Sequence, residues 1–199
     1  MRLIIPMGKT STGKDTIARY INERFGIQTV VSYTTRLIRE NEVDGREHWF
    51  ISESKMDEIE ADKDNLLAYT KNLKTGHRYC ATARDLDPSR SYIYILNPSA
   101  YLDMIRKHPD IETIVIFMDL PERQIRQRAM LRGDRRKDIN KRLDGEREEF
   151  ESFKKNHFSD CESSDDVDLS GQKLYMISSL NTRDVIFSQV NEILNDNGF

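Results

Sequence analysis

Apolar residues in this chain fall into short dense runs, separated by segments in which they recur every three or four positions. Leu3-Ile4-Ile5 is the first run, and its lack of alternation predicts a strand over Arg2–Pro6 that is buried on both faces. Ile17, Ala18, Ile21 and Phe25 then share one face of a helix predicted over Lys14–Phe25, and Gly26 stops it. A second strand is predicted over Ile27–Ser32. The same rhythm returns after residue 90, with a strand at Tyr92–Leu96 and a helix over Pro98–Lys107, its proline at the start. Ile111–Met118 is the strongest strand signal in the chain. Helices are predicted from Pro121 to Leu131 and from Asp138 to Lys155, then a strand over Lys173–Ile177 and an amphipathic helix over Val185–Leu194. Strands alternating with helices imply a parallel sheet covered on both faces, an α/β fold.

Residues 33 to 84 break that rhythm. They are polar and interrupted, with Asp44-Gly45 marking a turn between Glu40–Val43 and His48–Ile51. A short helix is predicted over Ser54–Ile59, capped by Ser52 or Ser54. This stretch reads as a lobe inserted into the core.

At 199 residues the chain suits one domain with small lobes. Its 31 basic and 34 acidic residues leave a net charge of -3, which argues against a dedicated nucleic-acid binder. No apolar run approaches the ~20 residues that cross a bilayer, and the N-terminus leads into a strand rather than a cleavable signal. No membrane partner is expected. Cys80 and Cys161 lie far apart in no metal-like spacing, which suits a reduced, cytoplasmic setting with Cys80 as an inert thiol. The acidic run Asp160–Asp168 reads as an exposed loop.

The first strand and helix are joined by Pro6-Met-Gly-Lys-Thr-Ser-Thr-Gly-Lys-Asp-Thr16. Gly8-x4-Gly13-Lys14 is the spacing of a phosphate-binding loop. The backbone N–H groups of Gly8, Lys9, Thr10, Ser11, Thr12 and Gly13 can curl around phosphate oxygens, and Lys14 reaches the terminal phosphates. Asp15 stands where a Ser or Thr usually follows the lysine, and Thr16 comes one residue later. Either could hold a magnesium ion, directly or through water. Thr16 is preferred as the inner ligand, because a carboxylate beside phosphates is unfavourable unless a cation separates them.

Two further groups of cations follow. Arg36 and Arg39, beside Ser32, Thr34 and Thr35, suit a phosphate monoester gripped by forked guanidiniums. Taken alone, they read more simply as solvated arginines paired with Glu40 or Glu42. Between Arg123 and Arg147 lies a basic run in which Arg128, Arg132 and Arg142 flank a short break between helices. A segment there could close and set guanidiniums on a transferring phosphoryl. Glu122, Asp134, Asp138, Asp144 and Glu146 are interleaved, which weakens a nucleic-acid reading of the run.

These groups, in this order, resemble the guanylate kinase family. Residues 30 to 52, Val-Val-Ser-Tyr-Thr-Thr-Arg-Leu-Ile-Arg-Glu-Asn-Glu-Val-Asp-Gly-Arg-Glu-His-Trp-Phe-Ile-Ser, follow the family's Val-Ser-x-Thr-Thr-Arg-x-x-Arg segment and its continuation. Arg128–Gly133 with Ile139–Leu143 looks like its lid, and Gly76-x-x-Tyr79 like its glycine–tyrosine turn. The likeness covers residues 2 to 155. It implies a P-loop three-layer fold: a core at 1–32, 85–131 and 144–199, an acceptor-binding lobe at 33–84, and a helical lid at 132–143. It implies ATP on Gly8–Thr16 with Mg2+, and an acceptor phosphate on Ser32, Arg36, Arg39 and Tyr79. Lys14, Arg132 and Arg142 would be the catalytic cations.

The departures bear on the acceptor. The family's phosphate-binding tyrosine is His48 here, its guanine-reading glutamate falls on Ala68, and its base-reading Ser/Thr falls on Ala81 beside Thr82. Its acidic strand end is Asn97, which with Thr70 or Asn72 could supply a replacement contact. GMP or dGMP is the expected acceptor; the alternative is another nucleoside monophosphate or a ribose bisphosphate. A non-catalytic binding module is disfavoured because Gly8, Gly13 and Lys14 are intact. A switch GTPase would need an Asn-Lys-x-Asp base reader, and Asn140-Lys141 continues with Arg142-Leu143. The oligomeric state, monomer or homodimer, is left open.

Overall fold

A computed structural model describes residues 1–40, 42–72, 75–159, 169 and 171–199. Five parallel strands form its centre: β1 (Arg2–Met7), β2 (Gln28–Thr29), β7 (Ser91–Ile93), β8 (Glu112–Asp119) and β9 (Lys173–Ser178), in the spatial order β2-β7-β1-β8-β9. Because side chains alternate across a strand, β1 feeds two cores. Leu3, Ile5 and Met7 pack with Tyr101 and Met104 of α3 (Pro98–Lys107) and with Phe150 and Phe153 of α5 (Arg136–Phe158). Ile4 faces the other way, toward Ile17 and Ile21 of α1 (Lys14–Phe25) and Val190 and Leu194 of α6 (Arg183–Asp196). That double burial is why the strands read as unbroken apolar runs, and it makes the three layers.

A second, mixed sheet lies within the inserted stretch. Its order is β4-β3-β6-β5, from β3 (Ser32–Thr34), β4 (His48–Phe50), β5 (Leu66–Lys71) and β6 (Arg78–Thr82). The helix α2 (Glu53–Ala61) covers it through Met56, which packs on Leu66 and Cys80. Ser52 caps α2, its hydroxyl accepting from the Lys55 N–H at 3.1 Å. The predicted strand Ile27–Ser32 is divided between the two sheets. Val30 still donates to Ile93 of the core (2.8 Å), and two residues later Ser32 pairs with His48. The predicted turn after Asp44 is present, but β4 runs parallel to β3 and residues 42–43 form no strand. Strand Tyr92–Leu96 ends at Ile93, although Tyr94 still donates to Ile4 at 2.8 Å.

Near the C-terminus, α4 (Glu122–Leu131) and α5 enclose a small core of Ile125, Ala129, Ile139 and Leu143. The expected break spans 132–135, and α5 starts at Arg136, two residues before the sequence expectation. The run Asp160–Asp168, with Cys161, lies outside the described residues.

Candidate active site

The loop from Gly8 to Gly13 leaves the C-terminal end of β1 and tucks against β8. Gly8 has φ +155°, and a Cβ there would stand 2.7 Å from the Met118 carbonyl oxygen and 2.8 Å from Thr12 Oγ1. Gly13 takes φ +104° directly before α1, a conformation open chiefly to glycine. Thr12 ties the loop to itself, its hydroxyl donating to the Lys9 carbonyl at 2.8 Å. The sequence requirement for these two glycines is therefore met by close approach at one end and handedness at the other.

Lys14 Nζ donates to the Gly8 and Lys9 carbonyl oxygens at 2.8 and 2.9 Å. Burial pulls its pKa below the ordinary lysine value, against the opposing charges of Glu146 and Asp15, and Arg132 adds to the lowering. Lys9 is buried and bonds Glu151 at 2.5 Å, with Glu122 at 3.9 Å. The Thr10 N–H donates to Glu146 Oε2 at 2.8 Å. Asp15 and Thr16 lie in the first turn of α1, Asp15 exposed and Thr16 half-buried. Ser11 holds φ +57°, and its hydroxyl is buried without a partner among the described residues.

Arg132 and Arg142 approach this loop from the break before α5 and from its second turn. Both are held by one carboxylate: Arg132 hydrogen-bonds Asp134, and Arg142 lies 3.6 Å from the same oxygen. Arg128 is spent elsewhere, donating to the Ser179 carbonyl at 2.5 Å.

The acceptor-side residues meet on the second sheet. Ser32 Oγ and His48 Nδ1 are 2.9 Å apart, cross-strand neighbours of β3 and β4. The His48 ring packs edge-on to Tyr79 of β6 at 5.7 Å. Burial, and then the charge of Arg36, pull the His48 pKa below its ordinary value, so it stands neutral near pH 7. Arg36 is buried and bidentate with Glu42, at 2.8 and 2.9 Å, and it also donates to the Leu37 carbonyl. The simpler reading of Arg36, paired with a neighbouring glutamate, thus describes its contact in this structure. Glu42 also accepts from the Arg39 N–H at 2.9 Å. Ala68 and Ala81 are cross-strand partners, both buried. Asn97, at the start of α3, donates to Glu149 at 2.7 Å and to Ser99 at 3.0 Å, while its Oδ1 is buried without a partner among the described residues.

Four carboxylates at this site were not singled out as site residues from the sequence: Glu42, Asp134, Glu146 and Glu151. The available signal was spacing. Glu146 follows Arg142 by one helical turn, and Glu42 follows Arg39 by three residues.

The guanylate kinase family model matches residues 1–177. The chain belongs to the guanylate kinase family. A guanylate kinase of Syntrophus aciditrophicus is 31% identical over 154 residues, covering 74% of this chain and 72% of that protein. The guanylate kinase of Halalkalibacterium halodurans is 28% identical and covers 88% of this chain and 86% of its own. Among solved structures, a guanylate kinase from Anaplasma phagocytophilum superposes with a TM-score of 0.63 at 14% identity, over 100% of this chain and 87% of that one. That last likeness concerns the fold. The α/β fold with its central parallel sheet is accordingly the family's.

Proposed function

We propose that this chain transfers the γ-phosphoryl group of ATP to GMP or dGMP, giving ADP and the nucleoside diphosphate. The reading is carried by the loop itself. The Thr10 amide already holds an oxyanion at hydrogen-bond distance, Lys14 and Arg142 act on that same carboxylate, and Arg132 lies close enough to act on Lys14. Membership of the family supports an ATP-dependent nucleoside monophosphate kinase that uses ATP and Mg2+.

Phosphoryl transfer asks the protein chiefly for position and for positive charge along the transfer line. Gly8–Thr16 would cradle the donor's phosphates, with Lys14 released from its loop carbonyls onto them. Ser32, Tyr79 and Arg36, whose guanidinium would turn from Glu42 and Tyr79, would hold the acceptor phosphate, with Arg39 beside them and neutral His48 giving one hydrogen bond. Arg132 and Arg142 would leave Asp134 for the phosphates; exposed ion pairs of this kind are worth only ~0–1 kcal/mol, so the exchange is inexpensive. The segment 132–143 would act as the lid and 33–84 as the acceptor lobe. Magnesium, when bound, supplies charge neutralisation across the phosphates. Thr16 and Asp15 offer the hard oxygen donors it takes, and the described residues contain no cluster of three or more His, Cys, Asp or Glu to cage it. An ion held mainly by phosphates, water and one or two side chains is how magnesium is usually bound.

Asn97 supports a base or ribose contact. Its amide is oriented by Glu149, and its Oδ1, buried without a partner among the described residues, would accept an N–H or O–H of the nucleotide once the site opens onto it. Ala68 and Ala81 offer no polar side-chain atom, and this favours, as a second reading, a related phosphorylated acceptor. No helix among the described residues is long and apolar enough to cross a membrane. A cytoplasmic setting suits Cys80, whose thiol is buried and pushed up to about 12 by that burial.

An ADP-release assay with Mg-ATP tests the reading against ribo- and deoxynucleoside monophosphates and ribose phosphates. ADP should form fastest with GMP or dGMP. No ADP with any acceptor would refute the kinase; ADP with a different acceptor alone would refute the guanine assignment.

A further inference from the structure

Glu146 occupies the heart of the phosphate loop. It projects from the third turn of α5, half-buried, and its Oε2 takes the Thr10 N–H at 2.8 Å. Burial pushes its pKa up, while Thr10, Lys14 and Arg142 pull it back. Its neighbour along the helix, Glu151, holds Lys9 at 2.5 Å. The geometry points to Glu146 as a resident anion, a carboxylate that stands in for a nucleotide phosphate and that ATP must displace. This rests on the loop being the ATP site, as proposed above.

Exclusion and then repulsion set an incoming phosphate against Glu146. One backbone N–H cannot serve both a carboxylate and a phosphate oxygen. Two anions about 4 Å apart in a partly buried site repel far more than they would in water. Surface pairs such as Arg142 with Asp134 yield cheaply, whereas Glu146 is half-buried and bonded to the loop backbone. A standing anion has a use in the empty enzyme, because it satisfies the loop's N–H and balances Lys14 and Arg142. The position of Glu146 also links donor binding to the lid. Arg142 lies one helical turn earlier on the same face of α5, so a carboxylate pushed off the loop moves the turn that carries this arginine. ATP would then loosen α5 from the loop before the acceptor is engaged.

Glu146→Gln keeps the shape and removes the charge; Glu146→Asp keeps the charge and shortens the reach. Calorimetric titration with Mg-ATP should give a Kd about tenfold lower for Glu146→Gln than for the wild type, the scale of one like-charge contact removed. Glu146→Asp should fall between the two. The KM for the acceptor monophosphate should stay unchanged in both, which a general loosening of the fold would not allow. Wild type that binds ATP while Glu146→Gln binds equally or more weakly would overturn the inference, and so would an unchanged Kd in Glu146→Asp if Glu146→Gln does not fold. Failure of the wild type itself to bind ATP would instead remove the kinase reading, and this inference with it.

Discussion

Gly8 shows most sharply how one residue constrains this site. The carbonyl of Met118 that its Cβ would strike is backbone and belongs to β8, a central strand that cannot yield. Gly8→Ala should therefore cost about 1–3 kcal/mol of stability and weaken ATP binding as the loop is pushed off β8. Urea unfolding together with nucleotide titration checks this, and a variant with wild-type stability and affinity would contradict it. The glycines and Lys14 were legible in the sequence because their spacing is tied to a backbone shape. Glu146 was not, because its importance comes from where α5 docks, and nothing in the sequence around residue 146 states that. Arg36 illustrates both sides. Its alternatives, phosphate or a nearby glutamate, were readable, but only the fold shows that Glu42 takes two donors and leaves an edge toward Tyr79.

Among elements, the long apolar strands and the helices with clean periodicity matched the sequence expectation to within a few residues. β1 and β8 are buried on both faces along nearly their whole length, so almost every position carries the signal; β9, at the sheet edge, buries only Ile177 fully and is read from its apolar run. The short strands of the inserted sheet did not announce themselves. β3 and β4 have three residues each, too few for a period, and β5 and β6 hold Ala68, Cys80 and Ala81 where strands usually show large β-branched side chains. The chain also changes sheets between Val30 and Ser32 with no glycine or proline to mark it. The segment after β3 is pinned by Arg36–Glu42, and that pin has a pH signature. The Arg36 hydrogen bonds hold the Glu42 carboxyl down at about 2, against an ordinary 4.5. A depressed carboxylate stabilises the fold fully above its ordinary pKa, and the contribution is lost as pH falls through the folded value. Carboxyl 13C NMR should therefore show Glu42 still ionised at pH 4, with the β3–β4 region loosening only toward pH 2. A midpoint near 4.5 would mean that the pair does not form in solution.

Across the whole molecule, the sheet order places the phosphate loop in the middle of five parallel strands, at their C-terminal ends, where open α/β folds bind ligands. The inserted sheet, which carries the side chains proposed to hold the acceptor phosphate, is joined to the core through β5, which packs on α3 and the core cluster of Leu3, Tyr94 and Tyr101. In this state four of the site's cations are paired with carboxylates, Lys9 with Glu151, Arg36 with Glu42, and Arg132 and Arg142 with Asp134, while Lys14 rests on loop carbonyl oxygens. Such an arrangement is poised for exchange, because two phosphorylated substrates can replace protein anions with their own. All of these parts serve one chemical event in the proposed function, the passage of the terminal phosphoryl from donor to acceptor. Incubating the protein with Mg2+, γ-labelled ATP and GMP, and resolving the nucleotides, tests it most directly. The label is expected on the β-phosphate of GDP, in amounts matching the ADP formed. Label found only in inorganic phosphate or left on ATP, with GMP and every other monophosphate unlabelled, would contradict it.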